Sequence, residues 1–263
     1  MGKALEKEWL RVLEQEEKFL RTAENKKEGK IEELAGKLEE KIPPKVSATL
    51  NEAFYKAFLL IFEKGTDVIE KTFKGEELAL EFQVNDFRIS QKANKKSIRK
   101  LEKAGKQSKL LNSCITTAEG IGFGVLGVGM PDIPVFLGML LKGIYETAAS
   151  YGFDYHQKEE QVLILRMIVA GLADKDTVRE KNVAAEEWIS SIKEKNAVWQ
   201  MDTEIRAASA ALADAMLTAK FLQGIPVVGA IGGMSNPVIY RKVLQYASLK
   251  YKKRYLAEKR KSV

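Results

Sequence analysis

Apolar residues recur along this chain at steps of three and four, and that spacing constrains the fold more than any other feature. In residues 4–25, Leu5, Trp9, Val12, Phe19 and Ala23 stand at steps of three, four and seven, which places them on one face of an α-helix. From Lys45 to Phe62 the stripe is wider: Val46, Leu50, Ala53, Phe54, Ala57, Phe58, Ile61 and Phe62. No run alternates apolar and polar residues between turn signals, so no strand is predicted. Only 6 prolines occur in 263 residues, which argues against a disordered or all-β chain. The expected class is all-α.

A short helix over about 29–41 should stop before Pro43-Pro44, because proline cannot continue the hydrogen-bond ladder. Leu78 to Ser113 leans helical but is very polar. At Glu119 the character changes. Residues 120–145 read GIGFGVLGVGMPDIPVFLGMLLKGIY, with Asp132 and Lys142 the only charges. Val162, Leu163, Leu165, Ile168 and Val169 then mark a core helix, a polar region spans about 173–204, and Ile205–Leu222 is an Ala-rich helix. A second glycine-rich stretch, GIPVVGAIGGMSNP, leads into a last helix over about 238–260 that reads as amphipathic and basic. We therefore expect one domain over about 5–256. Charged N-terminal helices (1–112) should pack on a core (113–263) built around two Gly/Pro-rich apolar hairpins and closed by the basic C-terminal helix.

Charge is laid out unevenly. Arg88–Lys109 carries nine Lys/Arg against Glu102, and Pro237–Val263 nine against Glu258. These two +8 stretches and an overall +7 leave −9 for the rest of the chain. The layout suggests an anionic partner surface; two solvated helix faces are the plainer reading. Lys250, Lys252, Lys253, Arg254, Lys259, Arg260 and Lys261 lie among Tyr246, Tyr251, Tyr255, Leu244, Leu249 and Leu256, a composition suited to an interfacial membrane helix. On that reading, changing Lys252, Lys253, Arg254, Lys259, Arg260 and Lys261 to Gln releases the chain from anionic lipid and leaves its melting temperature nearly unchanged. Alternatively Leu244, Ala247, Tyr251 and Tyr255 face a core while the charges are solvated.

Several motifs carry chemistry in other proteins and do not point to it here. Gly122-Phe-Gly124-Val-Leu-Gly127 spells GxGxxG, yet no strand precedes it and Pro131 and Pro134 follow closely, so a dinucleotide site is disfavoured. Gly120-x-x-x-Gly124 and Gly229-x-x-x-Gly233 fit close helix packing better. Ile121–Leu141 and Ala207–Val228 have the length of membrane spans. Their prolines and charges argue against simple spanning helices, leaving a buried hairpin or an interfacial segment. Asp132 and Asn236 occupy matching places, each before an early proline, as helix N-caps do. His156 is the only histidine, which excludes a multi-histidine zinc site and makes a histidine-based triad improbable on composition. Cys114 is the single cysteine, so no internal disulfide forms. Asp202 and Glu204, two residues apart, do not share a helix face and make a poor acid–base pair. No metal site or cofactor is implied. The N-terminus MGKALEKEWLRVLEQEEKFL has no apolar stretch after its basic residues, so no secretory signal is expected. The expected location is cytoplasmic, peripheral to the inner membrane.

One ordered set of residues carries a family pattern: Lys41-Ile42-Pro43, Glu119-Gly120, Pro131-Asp132-Ile133-Pro134, and Tyr151-Gly152-Phe153-Asp154. It continues with Ile225-Pro226-Val227-Val228-Gly229-Ala230, Gly232-Gly233, Asn236, Tyr251 and Arg254-Tyr255. This set resembles the EcsC family over about residues 5–256. The resemblance implies a bacterial protein of unestablished activity, in a family named for a neighbour of an ABC transporter, and it supplies no catalytic residues. Two readings follow. One is a non-enzymatic regulatory or scaffold protein at the cytoplasmic membrane surface, linked to transport or secretion, with an anionic membrane or a membrane protein as partner. The other is a hydrolase in which the carboxylates of Asp132 and Asp154 meet, with Glu119 and Asn236 as further polar candidates. Nucleic-acid binding through the basic segments is a third option, though no recognised module is present. Oligomeric state is not legible.

Overall fold

The computed structural model describes residues 3–25, 44–63, 69, 75–91, 98–101, 132–196, 198–222 and 237–261. In chain order its helices are α1 (Lys3–Glu24), α2 (Pro44–Glu63), α3 (Gly75–Gln91), α4 (Asp132–Ser150), α5 (Lys158–Leu172), α6 (Lys175–Glu194), α7 (Met201–Leu222) and α8 (Pro237–Lys261). No strand occurs among the described residues. The fold is a single all-helical domain, as the apolar spacing required.

The C-terminal helix α8 lies in the middle. It packs against α5, α1 and α4, while α7 covers α2 and α5, α6 bridges α5 and α1, and α4 meets α2 and α3. From Tyr246 to Leu256 no residue of α8 is exposed, and Val243, Tyr246, Ala247 and Tyr251 are fully enclosed; Val238, Arg241 and Gln245 keep a solvent face on the first turns. Close approach to α4 depends on Gly143, where an added Cβ would lie 2.7 Å from Tyr240 Oη and 2.9 Å from Leu244 Cδ1.

α1 shows how local sequence builds toward this centre. Its buried positions are Leu5, Glu8, Val12, Glu16, Phe19, Leu20 and Ala23, one stripe at helical spacing with two glutamates inside it. Residues 175–194, read from sequence only as part of a polar region, form α6. Its narrow stripe of Val178, Ala185, Trp188 and Ile189 is buried, and Lys195 closes it in the left-handed conformation (φ 58°). The N–H groups of Lys195 and Asn196 donate to the carbonyls of Ile192 and Ser191, satisfying acceptors a helix end would otherwise leave open. The Trp188 indole N–H donates to the Glu159 carbonyl at 3.0 Å, and Arg166 stacks over its ring at 4.5 Å, tying α6 to α5.

The two glycine-rich stretches, with Gly120, Gly124, Gly229 and Gly233, and the short helix expected over 29–41 lie outside the described residues. The hairpins expected at the centre of the fold fall on those residues.

Candidate functional site at the C-terminal helix

Six basic residues of α8, from Lys250 to Arg260, are held by carboxylates from four other helices. Lys250, with 0% exposure, donates to Glu16 of α1 and Glu186 of α6. Lys253 reaches the same pair, at 2.6 Å to Glu16 and 2.9 Å to Glu186. Two cations and two anions thus form a compact square beneath Tyr246, whose ring lies 5.1 Å from the Lys250 ammonium. Lys252 pairs with the buried Glu8 at 3.1 Å, and Arg254 with the buried Glu160 of α5 at 2.7 Å. Lys259 meets Asp86 of α3 at 2.7 Å, and Arg260 meets Glu6 at 3.3 Å while covering the Trp9 ring. At the other end, Lys242 donates to the Leu172 and Ala173 carbonyls, both at 3.2 Å, and to Asp174 at 2.8 Å. A cation there complements the negative end of the α5 dipole.

Burial alone would push the Glu186 carboxyl up, but the charges and hydrogen bonds of Lys250 and Lys253 outweigh it and hold the group below its usual range. Burial also acts on Lys253, in the opposite direction; the Glu16 and Glu186 carboxylates prevail and raise it. Tyr246 is pushed well up, first by burial and then by the same carboxylates. These shifts favour the charged forms of Glu186 and Lys253 and the neutral form of Tyr246, as a buried ion-pair network does.

Beside this seam, the turn between α4 and α5 meets the last turns of α8. Gly152 adopts φ +79°, and an added Cβ would fall 2.4 Å from Phe82 Cε1; only glycine fits both the backbone and the space. Phe153 lies under the Arg254 guanidinium at 4.0 Å and 5.4 Å from the Tyr251 ring. Tyr151 sits 6.2 Å from Tyr255, Tyr155 stacks on Tyr145 at 4.5 Å, and the Tyr255 hydroxyl donates to Asp86 at 2.9 Å. Tyr151, Gly152, Phe153, Tyr251, Arg254 and Tyr255, all members of the ordered pattern read from sequence, therefore assemble in one place although about 100 residues separate the two groups.

The model of the EcsC protein family matches residues 6–256. This chain belongs to the EcsC protein family. It is 24% identical to Protein EcsC of Bacillus subtilis (strain 168) over 204 residues, 76% of this chain and 75% of that protein. It is 29% identical to the uncharacterized protein YdbA of the same organism over 150 residues, 55% of this chain and 54% of that protein. No solved structure matches it. In this EcsC chain Tyr151, Gly152 and Phe153 thus form, with Tyr251, Arg254 and Tyr255, a packing and charge junction that seats the C-terminal helix.

The other residues singled out in this EcsC chain are dispersed. Glu119, Gly120, Gly124, Gly229, Gly233 and Asn236 lie outside the described residues. Asp132 is the first residue of α4 and Pro134 stands in its first turn; its side chain is also outside the description. Asp154 is exposed and serves its own turn, accepting from the His156 N–H at 3.0 Å and from the Gln157 amide at 3.4 Å. That local use gives no support to a carboxylate pair with Asp132. Asp202 and Glu204 go to different partners, Tyr55 and Arg206 for the first and Arg166 for the second.

The expectation of a headgroup-facing basic helix is corrected. Lys250, Lys252 and Arg254 are buried, Lys253, Lys259 and Arg260 are half-buried and paired, and of the seven residues named only Lys261 is exposed. Changing these residues to Gln would strand buried carboxylates and cannot leave stability unaltered. Sequence reading missed the counter-charges, Glu8, Glu16, Glu160 and Glu186. A signal existed in α1: Glu8 and Glu16 lie on the same helical stripe as Leu5, Val12 and Phe19, and an acid inside an apolar stripe must find a partner. Among the described residues no group of three or more His, Cys, Asp or Glu could hold a metal ion, and no described helix is long and apolar enough to cross a membrane.

Proposed function

We propose that this chain is a non-enzymatic regulatory or scaffold protein that works at the cytoplasmic surface of an anionic membrane, with a tie to transport or secretion machinery in that membrane. One observation supports this reading. Of the two +8 stretches, the C-terminal one has seven of its nine cations paired with carboxylates of the fold, whereas Arg88, Arg99 and Lys100 of the other are exposed. Ile98 and Leu101, between and beside them, are buried at 2% and 1%, so the basic segment is anchored to the core while its described charges face outward. Lys and Arg near an anionic leaflet contribute about 1 kcal/mol each, and the surplus in Arg88–Lys109 supplies several.

The test is co-sedimentation of the full chain with phosphatidylcholine vesicles and with vesicles that also contain phosphatidylglycerol, over a salt series. Binding only to the anionic vesicles, weakening with salt, is expected. Changing Arg88, Lys92, Lys95, Lys96, Arg99 and Lys100 to Gln should abolish it with little change in melting temperature. Absence of vesicle binding, with salt-sensitive binding to duplex DNA instead, would overturn the membrane reading in favour of nucleic acid.

A further inference from the structure

We infer that α3 is the docking element, its outward stripe of Leu80, Val84 and Phe87 entering the interfacial layer of an anionic bilayer; this rests on the membrane reading above. At about 100° per residue, these three side chains fall within roughly 60° of one another. Leu78, Phe82, Asn85 and Ile89 fall on the opposite side, where Asn85 and Ile89 are buried at 4% and 2% and Phe82 meets Gly152 and Tyr255. α3 thus has two apolar faces, and only one is used by the core. Leu80 is 62%, Val84 43% and Phe87 64% exposed, three large apolar residues aligned on one helix.

The occupant follows from the charge beside the stripe. Arg88 is exposed next to Phe87 and opens the basic segment, so the C-terminal end of the stripe combines apolar insertion with cations. That combination binds anionic interfaces. Glu77 and Glu81 flank the first half of the stripe, so α3 enters tilted, with the Phe87 end deeper. A second copy of the chain fits less well. Three part-exposed side chains offer on the order of 300 Å², short of the about 800 Å² per partner in a specific interface, and pairing would bring two basic segments together.

The experiment compares the full chain with Leu80→Ser/Val84→Ser/Phe87→Ser on both vesicle types. Because the three side chains face away from the core, thermal unfolding should be nearly unchanged. Affinity for anionic vesicles should fall at least about tenfold at constant salt. In a Cys114→Ser background, an environment-sensitive dye on Phe87→Cys should shift to the blue with anionic vesicles, while the same dye on Val198→Cys, at a position 89% exposed in the parent, should not. If the parent binds and the serine variant binds equally, with the dye at 87 still in water, the α3 assignment fails while the membrane reading stands. If the parent binds no vesicle, both fall. A parent that dimerises through the stripe without binding lipid also overturns the assignment.

Discussion

Lys250→Met tests whether α8 is the buried ionic centre of the fold. The substitution keeps most of the apolar stem and removes the ammonium, its charge and its donors. It leaves the carboxylates of Glu16 and Glu186 in a region where Lys250 has 0% exposure. Removing one partner of a buried pair costs about 3–5 kcal/mol. Lys253 still reaches both carboxylates, at 2.6 and 2.9 Å, so the lower end, about 3 kcal/mol, is expected. For a chain of this size that corresponds to a fall of roughly 6–12 °C in melting temperature, read by circular dichroism at neutral pH. A buried pair is poorly screened, so the loss should persist at high salt. The double variant Lys250→Met/Glu16→Leu removes both charges and should recover most of the loss. The sign with pH is defined by Glu186, whose carboxyl lies below its ordinary value. The stability it supplies is present above the unfolded carboxylate range and is lost as pH falls through the lowered value. Glu186→Gln should therefore flatten the acid limb of the stability curve. A Lys250→Met protein that melts within about 1 °C of the parent, or whose loss vanishes in salt, would show that this ammonium sits in water, and the reasoning would fail.

Glu146 runs in the opposite direction: burial pushes its carboxyl up to about 7, against the opposing charge of Lys142, and its Oε2 has no hydrogen-bond partner. Its contribution is complete at acid pH and declines as pH rises toward and through 7, so Glu146→Gln should stabilise the protein above neutrality by roughly 3 kcal/mol, with no gain at acid pH, in paired melts. Gly152→Ala, at φ +79° and 2.4 Å from Phe82, should cost about 2–4 kcal/mol, and Phe82→Leu in the same chain should restore part of it. Arg254→Lys keeps the charge for Glu160 but loses the planar stack on Phe153, so denaturant melts should show a loss of about 1–2 kcal/mol.

Much of this was legible in the chain itself. The stripe of Leu5, Val12, Phe19 and Ala23 specifies α1 because residues three and four apart must share a helix face. The set from Leu50 to Ile61 specifies α2 for the same reason. The motif residues from Tyr151 and from Tyr251 identified the EcsC family, but nothing in their order showed that Phe153 would lie beneath Arg254. α3 was read as polar because its two apolar faces blur any single period. The glycine-rich stretches drew attention by composition; of the described close approaches to α8, one is by Gly143 at the end of the first stretch and the other by Gly171 of α5.

By itself, the sequence determined the helical class, the extent of the family pattern and the existence of two +8 stretches, since all three are properties of residues near one another in the chain. Only the tertiary structure decided which stretch is interior. Lys252 finds Glu8 across 244 residues, and Arg254 finds Glu160 across 94. Whether an ammonium remains in water or is buried against a carboxylate depends on what surrounds it, because desolvation and pairing are set by neighbours from other helices. A helix rich in Lys, Tyr and Leu has the same local pattern in either case. In this protein α1, α5 and α6 close over it and make it the centre.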